Sequence, residues 1–186
     1  MSTSLDAHLG LKRGLRLYLC FKRRLEVKGL HRGVEEELLK AIKEGLADAL
    51  VEAKVWRPQR IEVRVKAEKL IEAARFLRDK LGFDHIAAVT GVDYPEKRMI
   101  EVIYHVWSTG RMVMLALKTE ASRDKPSLPS LVNVWEGALY HERETHEMLG
   151  VNFEGHPNLS LLLLPEDWDW SSKGYPLRKD FVLKEE

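Results

Sequence analysis

Between His85 and Thr119 three runs of alternating residues follow one another with no helical period between them, and this restricts the fold more than any other feature. Parallel neighbours in a sheet need a crossover of about a dozen residues or more, whereas antiparallel neighbours can turn directly into one another. The runs at 85–90, 99–107 and 111–119 are therefore expected to be antiparallel, with Gly110 making a hairpin of the last two. Helical periods lie on either side. Leu38, Leu39, Ile42, Leu46 and Ala49 predict a helix over 34–52, broken at Trp56-Arg57-Pro58. Residues 60–65 alternate and read as a strand; Ala67, Leu70, Ile71, Ala74, Leu77 and Leu81 predict a second helix ended by Gly82. After a polar, proline-containing loop at 123–129, Ser130 is expected to cap a third helix that ends at Gly150. Helices and strands in separate runs mean α+β: a mainly antiparallel sheet packed with helices, followed by an irregular, extended C-terminal tail. No G-x-G-x-x-G or G-x-x-x-x-G-K-[ST] occurs, so nucleotide binding by those routes has no support.

Composition narrows the function. Lys+Arg number 30 against 29 Asp+Glu in 186 residues, a balance that argues against a general nucleic-acid binder. One cysteine, Cys20, allows neither an internal disulfide nor a four-cysteine metal or iron–sulfur site from this chain alone. Charged residues at 32%, with one Gln and three Asn, fit a thermophile. The leucine run 161–164, like every other apolar run in the chain, falls far short of the roughly 20 residues a membrane span needs. No basic segment followed by an apolar run opens the chain, so a cytoplasmic protein is expected. The first 33 residues stand apart as a basic extension. Eight Lys/Arg and a single acid, Glu26, fall between Lys12 and Arg32, and Leu15, Leu17, Leu19 and Phe21 alternate with polar residues. Such a segment is either an edge strand or an arm that docks on an acidic partner or membrane surface. The expected organisation is a basic extension (1–33), an α+β domain (34–154) and a partner-docking tail (155–186).

The stretch HERETHE, residues 141–147, resembles the H-E-x-x-H of zinc peptidases, but its spacing is wrong. Histidines grip one zinc from a helix when they stand at i and i+4. His141 and His146 are five apart, which puts the rings about 140° apart around a helix. Thr145 takes the required place, and His156 lies beyond Gly155 and the helix end. No metal ligands are expected. The apolar stripe of this helix runs Leu131, Trp135, Ala138, Glu142, Thr145, Leu149, so Glu142 falls on the buried side. Arg143 is placed to pair with Glu147, and Glu142 with His146, at i,i+4. The cluster reads either as an internal ion-pair network or as a proton-carrying or partner-facing group. The tail, punctuated by Pro157, Pro165, Gly174 and Pro176, still carries Leu159, Leu161 to Leu164, Trp168, Trp170, Leu177 and Phe181. So apolar an irregular segment needs cover, part of it from a partner.

The ordered set Glu142-Arg143-Glu144, Glu147, Gly150, Phe153-Glu154-Gly155-His156-Pro157, Leu163-Leu164-Pro165, Asp167-Trp168 and Pro176-Leu177-Arg178-Lys179-Asp180-Phe181 resembles one family signature. That family is the 30 kDa (C) subunit of respiratory complex I, NADH:quinone oxidoreductase, with its homologues in energy-converting membrane-bound hydrogenases. The stretch TGVDYPEKRMIEVIYHVWS (90–108) and the loop from Pro126 to Pro129 resemble it too, so the likeness covers 34–181. The family usually has Tyr-Asp in place of His146-Glu147 and Arg in place of Ser160; the segment 169–173 is longer than usual, and the chain stops soon after Phe181. The compact length and charge-rich composition resemble archaeal versions, found in membrane-bound hydrogenases and related sulfur-reducing complexes.

The resemblance implies a hydrophilic-arm subunit that binds no cofactor itself and has no catalytic activity of its own. It implies packing against a large catalytic subunit related to the nickel–iron hydrogenase large chain and against iron–sulfur subunits, with membrane subunits reached indirectly. Iron–sulfur clusters and a nickel–iron centre would belong to those partners. The chain would sit on the cytoplasmic face of the membrane, held there by them. Glu142, Arg143, Glu144, Glu147, Gly150, His156 and Pro157 are then the structural signature. Trp168, Trp170, Pro176, Leu177, Arg178, Lys179, Asp180 and Phe181 are the partner-docking residues. Complex I proper is the first alternative. A free-standing metal hydrolase using His141, Glu142, His146 and His156 is the second, and a nucleic-acid module using the basic arm is the weakest, since it lacks interleaved stacking aromatics.

Overall fold

The computed structural model describes residues 33–182. The basic extension, apart from Gly33, and Cys20 lie outside the described residues. The first helix, α1, spans residues 33–45 and ends earlier than its apolar period. The amides of Leu46, Ala49 and Leu50 reach back to Ile42 and Leu46 in a turn, and the chain then enters strand β1 (Leu50–Arg57). The helix expected over 34–52 is thus cut short, and a strand stands where none was expected. β1 is an edge strand exposed along most of its length, so it carries no alternation to read. Its β-branched and aromatic residues Val51, Val55 and Trp56 suit a strand, and the ladder to β2 supplies the hydrogen bonds.

β2 (Arg60–Val65) leads through a 3-10 turn into helix α2 (Leu70–Asp79). β3 (His85–Tyr94), β4 (Met99–Ser108) and β5 (Val113–Ser122) form the expected antiparallel meander, with β3 and β5 running on past the predicted ends. The sheet order is β1-β2-β5-β4-β3. Helix α2 carries the chain from β2 to the far edge, and the two hairpins bring it back until β5 lies parallel to β2. One face of the sheet is apolar. Ile61, Val63 and Val65 of β2, Leu115 and Leu117 of β5, and Val102 and Val106 of β4 form one buried core with Leu38 and Ile42 of α1 and Leu70, Ala74 and Leu77 of α2.

The polar loop after β5 holds a short strand, β6 (Ser127–Pro129), parallel to β7 (Asn152–Glu154). Between them helix α3 (Ala138–Leu149) begins eight residues later than Ser130, the expected cap. Residues 131–137 form turns, in which Val134 and Trp135 donate to the Leu131 carbonyl and the Trp135 indole donates to the Phe83 carbonyl at 2.9 Å. The tail contains a single helical turn, α4 (Trp170–Lys173), capped by the Asp169 carboxylate on the Ser171 amide. No helix among the described residues is long and apolar enough to cross a membrane.

Helix α3 lies on β3 where Gly91 allows it. A Cβ at Gly91 would stand 2.1 Å from Leu149 Cδ1 and 3.1 Å from Thr145 Cγ2, both on the buried face of α3. Gly91→Val is expected to destabilise the chain by about 1–3 kcal/mol, the usual cost of overpacking. Thermal and urea unfolding measure it, and an unchanged midpoint would mean that α3 does not depend on this close approach.

Candidate functional site

Helix α3 presents two buried carboxylates on different sides, Glu142 and Glu147, each fully shielded from solvent. Glu142 faces the sheet and the 131–137 turns. Its Oε2 accepts from the Ser130 hydroxyl at 2.6 Å, and its Oε1 accepts from the Leu131 amide at 2.9 Å and the Tyr104 hydroxyl at 3.1 Å. Ser130 therefore serves α3 through Glu142 and not as a helix cap; its oxygen also accepts from the Val132 amide. Burial pushes the Glu142 carboxyl above its ordinary range, and the three hydrogen bonds pull partly back. Burial, with the Glu142 charge beside it, pushes Tyr104 well above its own.

Glu147 faces the tail. Its two oxygens accept from three consecutive backbone amides, Leu162 (3.2 Å), Leu163 (2.9 and 3.1 Å) and Leu164 (2.6 Å). The i,i+4 ion pairs expected from sequence do not form. Arg143 turns away from Glu147 and donates to the Ser160 carbonyl (3.1 Å), the Ser160 hydroxyl (2.9 Å) and the Leu161 carbonyl (2.8 Å). Glu142 does not meet His146, whose Nδ1 lies 2.8 Å from the Val151 carbonyl and whose ring meets Trp170 edge-on. Backbone groups of an irregular segment make partners as good as opposite charges, because the segment has no ladder of its own to satisfy them. The cluster is thus a hydrogen-bond network that ties α3 to the tail, in place of an ion-pair network.

The rest of the tail returns over the end of the same helix. Gly150 adopts φ +81° and closes α3 with its amide on the His146 carbonyl. A Cβ there would stand 2.5 Å from the Tyr175 ring. The Trp170 indole donates to the Glu147 carbonyl, the Leu177 amide to the Met148 carbonyl and Arg178 Nε to the Leu149 carbonyl, so three orphan carbonyls at the helix end find donors in the tail. Trp168 and Phe181 face each other at 6.5 Å, and Trp170 stacks on Tyr175 at 6.3 Å. Pro176 and Gly174 are half-buried beside them; Glu144 and Pro157 are exposed. His156 Nδ1 accepts from the Asn158 amide and Nε2 lies 3.0 Å from the Leu139 carbonyl. His141 is half-buried, and no group of three His, Cys, Asp or Glu side chains suited to a metal ion forms among the described residues.

A second latch was not read from the sequence. Asp93, buried at the end of β3, accepts from Arg123 Nε (2.7 Å) and Nη2 (3.0 Å) and from the Lys179 amide (2.8 Å). Arg123 Nη2 also pairs with Asp180 at 2.8 Å. The Arg123 guanidinium holds the Asp93 carboxyl below its ordinary range. Asp93 and Arg123 lie 30 positions apart, and only the strand register joins them; the one signal was an acid on the inward-facing step of an otherwise apolar alternation.

Two substitutions separate the networks. Glu142→Ala orphans two or three buried donors, at about 1–3 kcal/mol each, and is expected to destabilise the whole chain by roughly 3–5 kcal/mol. Glu142→Gln keeps an acceptor and should be milder. Because the folded Glu142 holds its proton to a higher pH than the unfolded chain does, stability falls as pH rises above the ordinary value of 4.5. Glu142→Gln should remove that slope, read by denaturation at several pH values. Glu147→Gln puts two N–H donors against three amides. It should free residues 155–182 to protease while the sheet stays folded; an unchanged cleavage pattern would show that Glu147 does not hold the tail.

Residues 63–186 match the family model described as the 30 Kd subunit of respiratory-chain NADH dehydrogenase. The C subunit of the NADH-quinone oxidoreductase of Roseiflexus castenholzii is 41% identical over 149 residues, 78% of this chain and 83% of that protein. The C subunit of the F(420)H(2) dehydrogenase of Methanosarcina mazei is 40% identical over 136 residues, 72% of this chain and 83% of that protein. A chain in the structure of the archaeal membrane-bound sulfane sulfur reductase, a respiratory membrane complex, superposes with a TM-score of 0.71 at 32% identity, covering 80% of this chain and 85% of its own length. A trypsin-resistant fragment of Nqo5 shares the fold, with a TM-score of 0.55 at 23% identity over 66% of this chain and 98% of the fragment. The chain is a subunit of a membrane-bound respiratory oxidoreductase complex and works beside other subunits of it. With two thirds of its length matched by the family model and both relatives near 40% identity, it belongs to the respiratory-chain NADH dehydrogenase 30 kDa subunit family.

Proposed function

We propose that this chain is the hydrophilic-arm subunit, without cofactor or catalytic activity of its own, of an archaeal hydrogenase- or sulfur-reductase-type relative of complex I. It packs through its tail against the large catalytic subunit, which is related to the nickel–iron hydrogenase large chain, and beside the iron–sulfur subunits. It is held by them at the cytoplasmic face of the membrane. The redox centres, iron–sulfur and nickel–iron, belong to those partners. The observation that carries this reading is the pairing of rigidity with exposure in the tail. Glu147 fixes the backbone of Leu162 to Leu164, yet the Leu163 side chain is 61% exposed; the Leu177 amide is bonded to α3, yet its side chain is 59% exposed. Apolar side chains held outward on a fixed backbone lose little entropy on docking and suit the centre of an interface. Trp168, Trp170, Pro176, Arg178, Lys179, Asp180 and Phe181 contribute by setting the shape of that surface. Complex I proper is the second reading, favoured by the NADH-quinone oxidoreductase and F(420)H(2) dehydrogenase relatives at 41% and 40% identity. Assays of the purified assembly with NADH, reduced F420 and a sulfane sulfur acceptor separate the two.

Leu163→Asp with Leu177→Asp should leave the melting temperature of the isolated chain within about a degree, since surface changes cost little. The same variant should fail to co-purify with the large subunit when the complex genes are co-expressed. Normal recovery of the complex would place the interface elsewhere on the chain.

A further inference from the structure

The helices cover one face of the five-stranded sheet; among the described residues none covers the other. Side chains on this open face divide into two halves. In one half the charges are matched. Arg64 pairs with Glu101 (2.6 Å) and Glu120, Lys118 with Glu62, and Lys54 with Glu52 (2.8 Å). The other half lies where β2 and β5 begin. The strand register sets Arg57 opposite Arg60, Arg60 opposite Met114, and Met114 opposite Trp107. Neither Arg57 nor Arg60 has an ion-pair partner among the described residues. The Arg57 guanidinium lies 4.4 Å from the Trp56 ring centre, and Arg60 points its Nη1 at the Met114 sulfur. Trp56 is 62% exposed. Trp56, Arg57, Arg60 and Met114, with Ile61, His105, Ala116 and Glu62, whose carboxylate is already taken by Lys118, line a cleft of about 270 Å³.

An exposed tryptophan beside two unpaired arginines has the composition that dominates protein interfaces. Arginine without a carboxylate, next to a lattice of arginines and lysines that all have one, marks an acceptor that is missing and not a face built for water. The sign of the charge selects the occupant. The basic extension of this chain, with eight Lys/Arg between Lys12 and Arg32, is repelled by it. A long polyanion such as nucleic acid would run from the cleft onto Glu62 at its edge and Glu101 and Glu120 in the other half. A short acidic segment with a large apolar side chain meets both demands. It can give the two guanidinium groups a carboxylate and lay its apolar group on Trp56 and Met114.

We propose that the Trp56–Arg57–Arg60 cleft on the open sheet face docks a short acidic, apolar-bearing segment of a neighbouring subunit, at a surface separate from the tail. It rests on the proposed function only for the partner being in the same assembly. The test uses the isotope-labelled full chain and a twelve-residue peptide in which Asp and Glu alternate with Leu and Phe, with a lysine-for-acid and a glutamine-for-acid version as controls. Addition of the acidic peptide should shift the Trp56 indole, Arg57, Arg60 and His105 resonances. The His105 ring, held below its ordinary pKa by burial and by Arg60 and Lys118, should titrate at higher pH in the complex. Arg57→Glu and Trp56→Ala, both at exposed positions, should each weaken binding by about tenfold with no change in melting temperature. Leu163→Asp, which tests the tail, should leave the titration unaltered, so the two readings fail separately. No binding, equal binding of the glutamine version, shifts centred away from Trp56, or tighter binding of a single-stranded oligonucleotide than of the peptide would each overturn the proposal.

Discussion

Two carboxylates on α3 are buried without a cation in contact, and the arrangement of the chain around that helix follows from what they need. A carboxylate removed from water must recover its hydrogen bonds from the protein, and a partly satisfied one costs more than an apolar residue in its place. Glu142 takes its donors from Ser130, Leu131 and Tyr104, which fixes how the helix sits on the sheet and on the turns before it. Glu147 takes its donors from three consecutive amides of the tail. Remove the tail and Glu147 is left without them. The 155–182 segment is therefore coupled to α3 even though it has almost no regular structure.

That coupling explains how so apolar an irregular segment is tolerated. Prolines at 157, 165 and 176 deny it a ladder, so its amides and carbonyls need other partners. Glu147 and Arg143 act as a complementary pair toward the backbone, one accepting from amides 162–164, the other donating to carbonyls 160 and 161. The helix end completes the exchange, since its last carbonyls receive Trp170, Leu177 and Arg178. Leu163 and Leu177 are then held facing outward, as the proposed docking surface requires.

Much of this was legible. The meander β3–β4–β5, strand β2, helix α2 and the buried stripe through Glu142 follow from period alone, because each has one face in the core. The ordered signature from Glu142 to Phe181 marked the family. What was not legible lacked either period or residue type. β1 is exposed along most of its length, and its LVEAKV composition continued the preceding helical pattern, so the turn at 46–49 was hidden. Ser130 has the chemistry of a cap, but its hydroxyl serves a carboxylate twelve residues on. The i,i+4 pairs were the natural expectation because sequence displays side chains and conceals the backbone, and the backbone proved to be the partner. Asp93 with Arg123 is a pair that only the sheet register brings together.

Glu142 and Asp93, both buried, respond to protons in opposite ways. Glu142 has no cation in contact, so burial raises its pKa and it accepts a proton early as pH falls, while Ser130 and Tyr104 can still hydrogen-bond the neutral form. Asp93 has Arg123 in two-pronged contact, which depresses its pKa; its contribution is present above the ordinary value of 3.8 and is lost only as pH drops through the lowered one. Since Arg123 grips Asp180 as well, the loss of the Asp93 charge loosens the Lys179–Asp180 end of the tail while α3 stays seated. The tail thus has two attachments of different kind. One is a cationic clamp at its end, sensitive to strong acid and to salt. The other is a cradle of amides at its middle, which no counter-ion can replace because the donors are the chain itself.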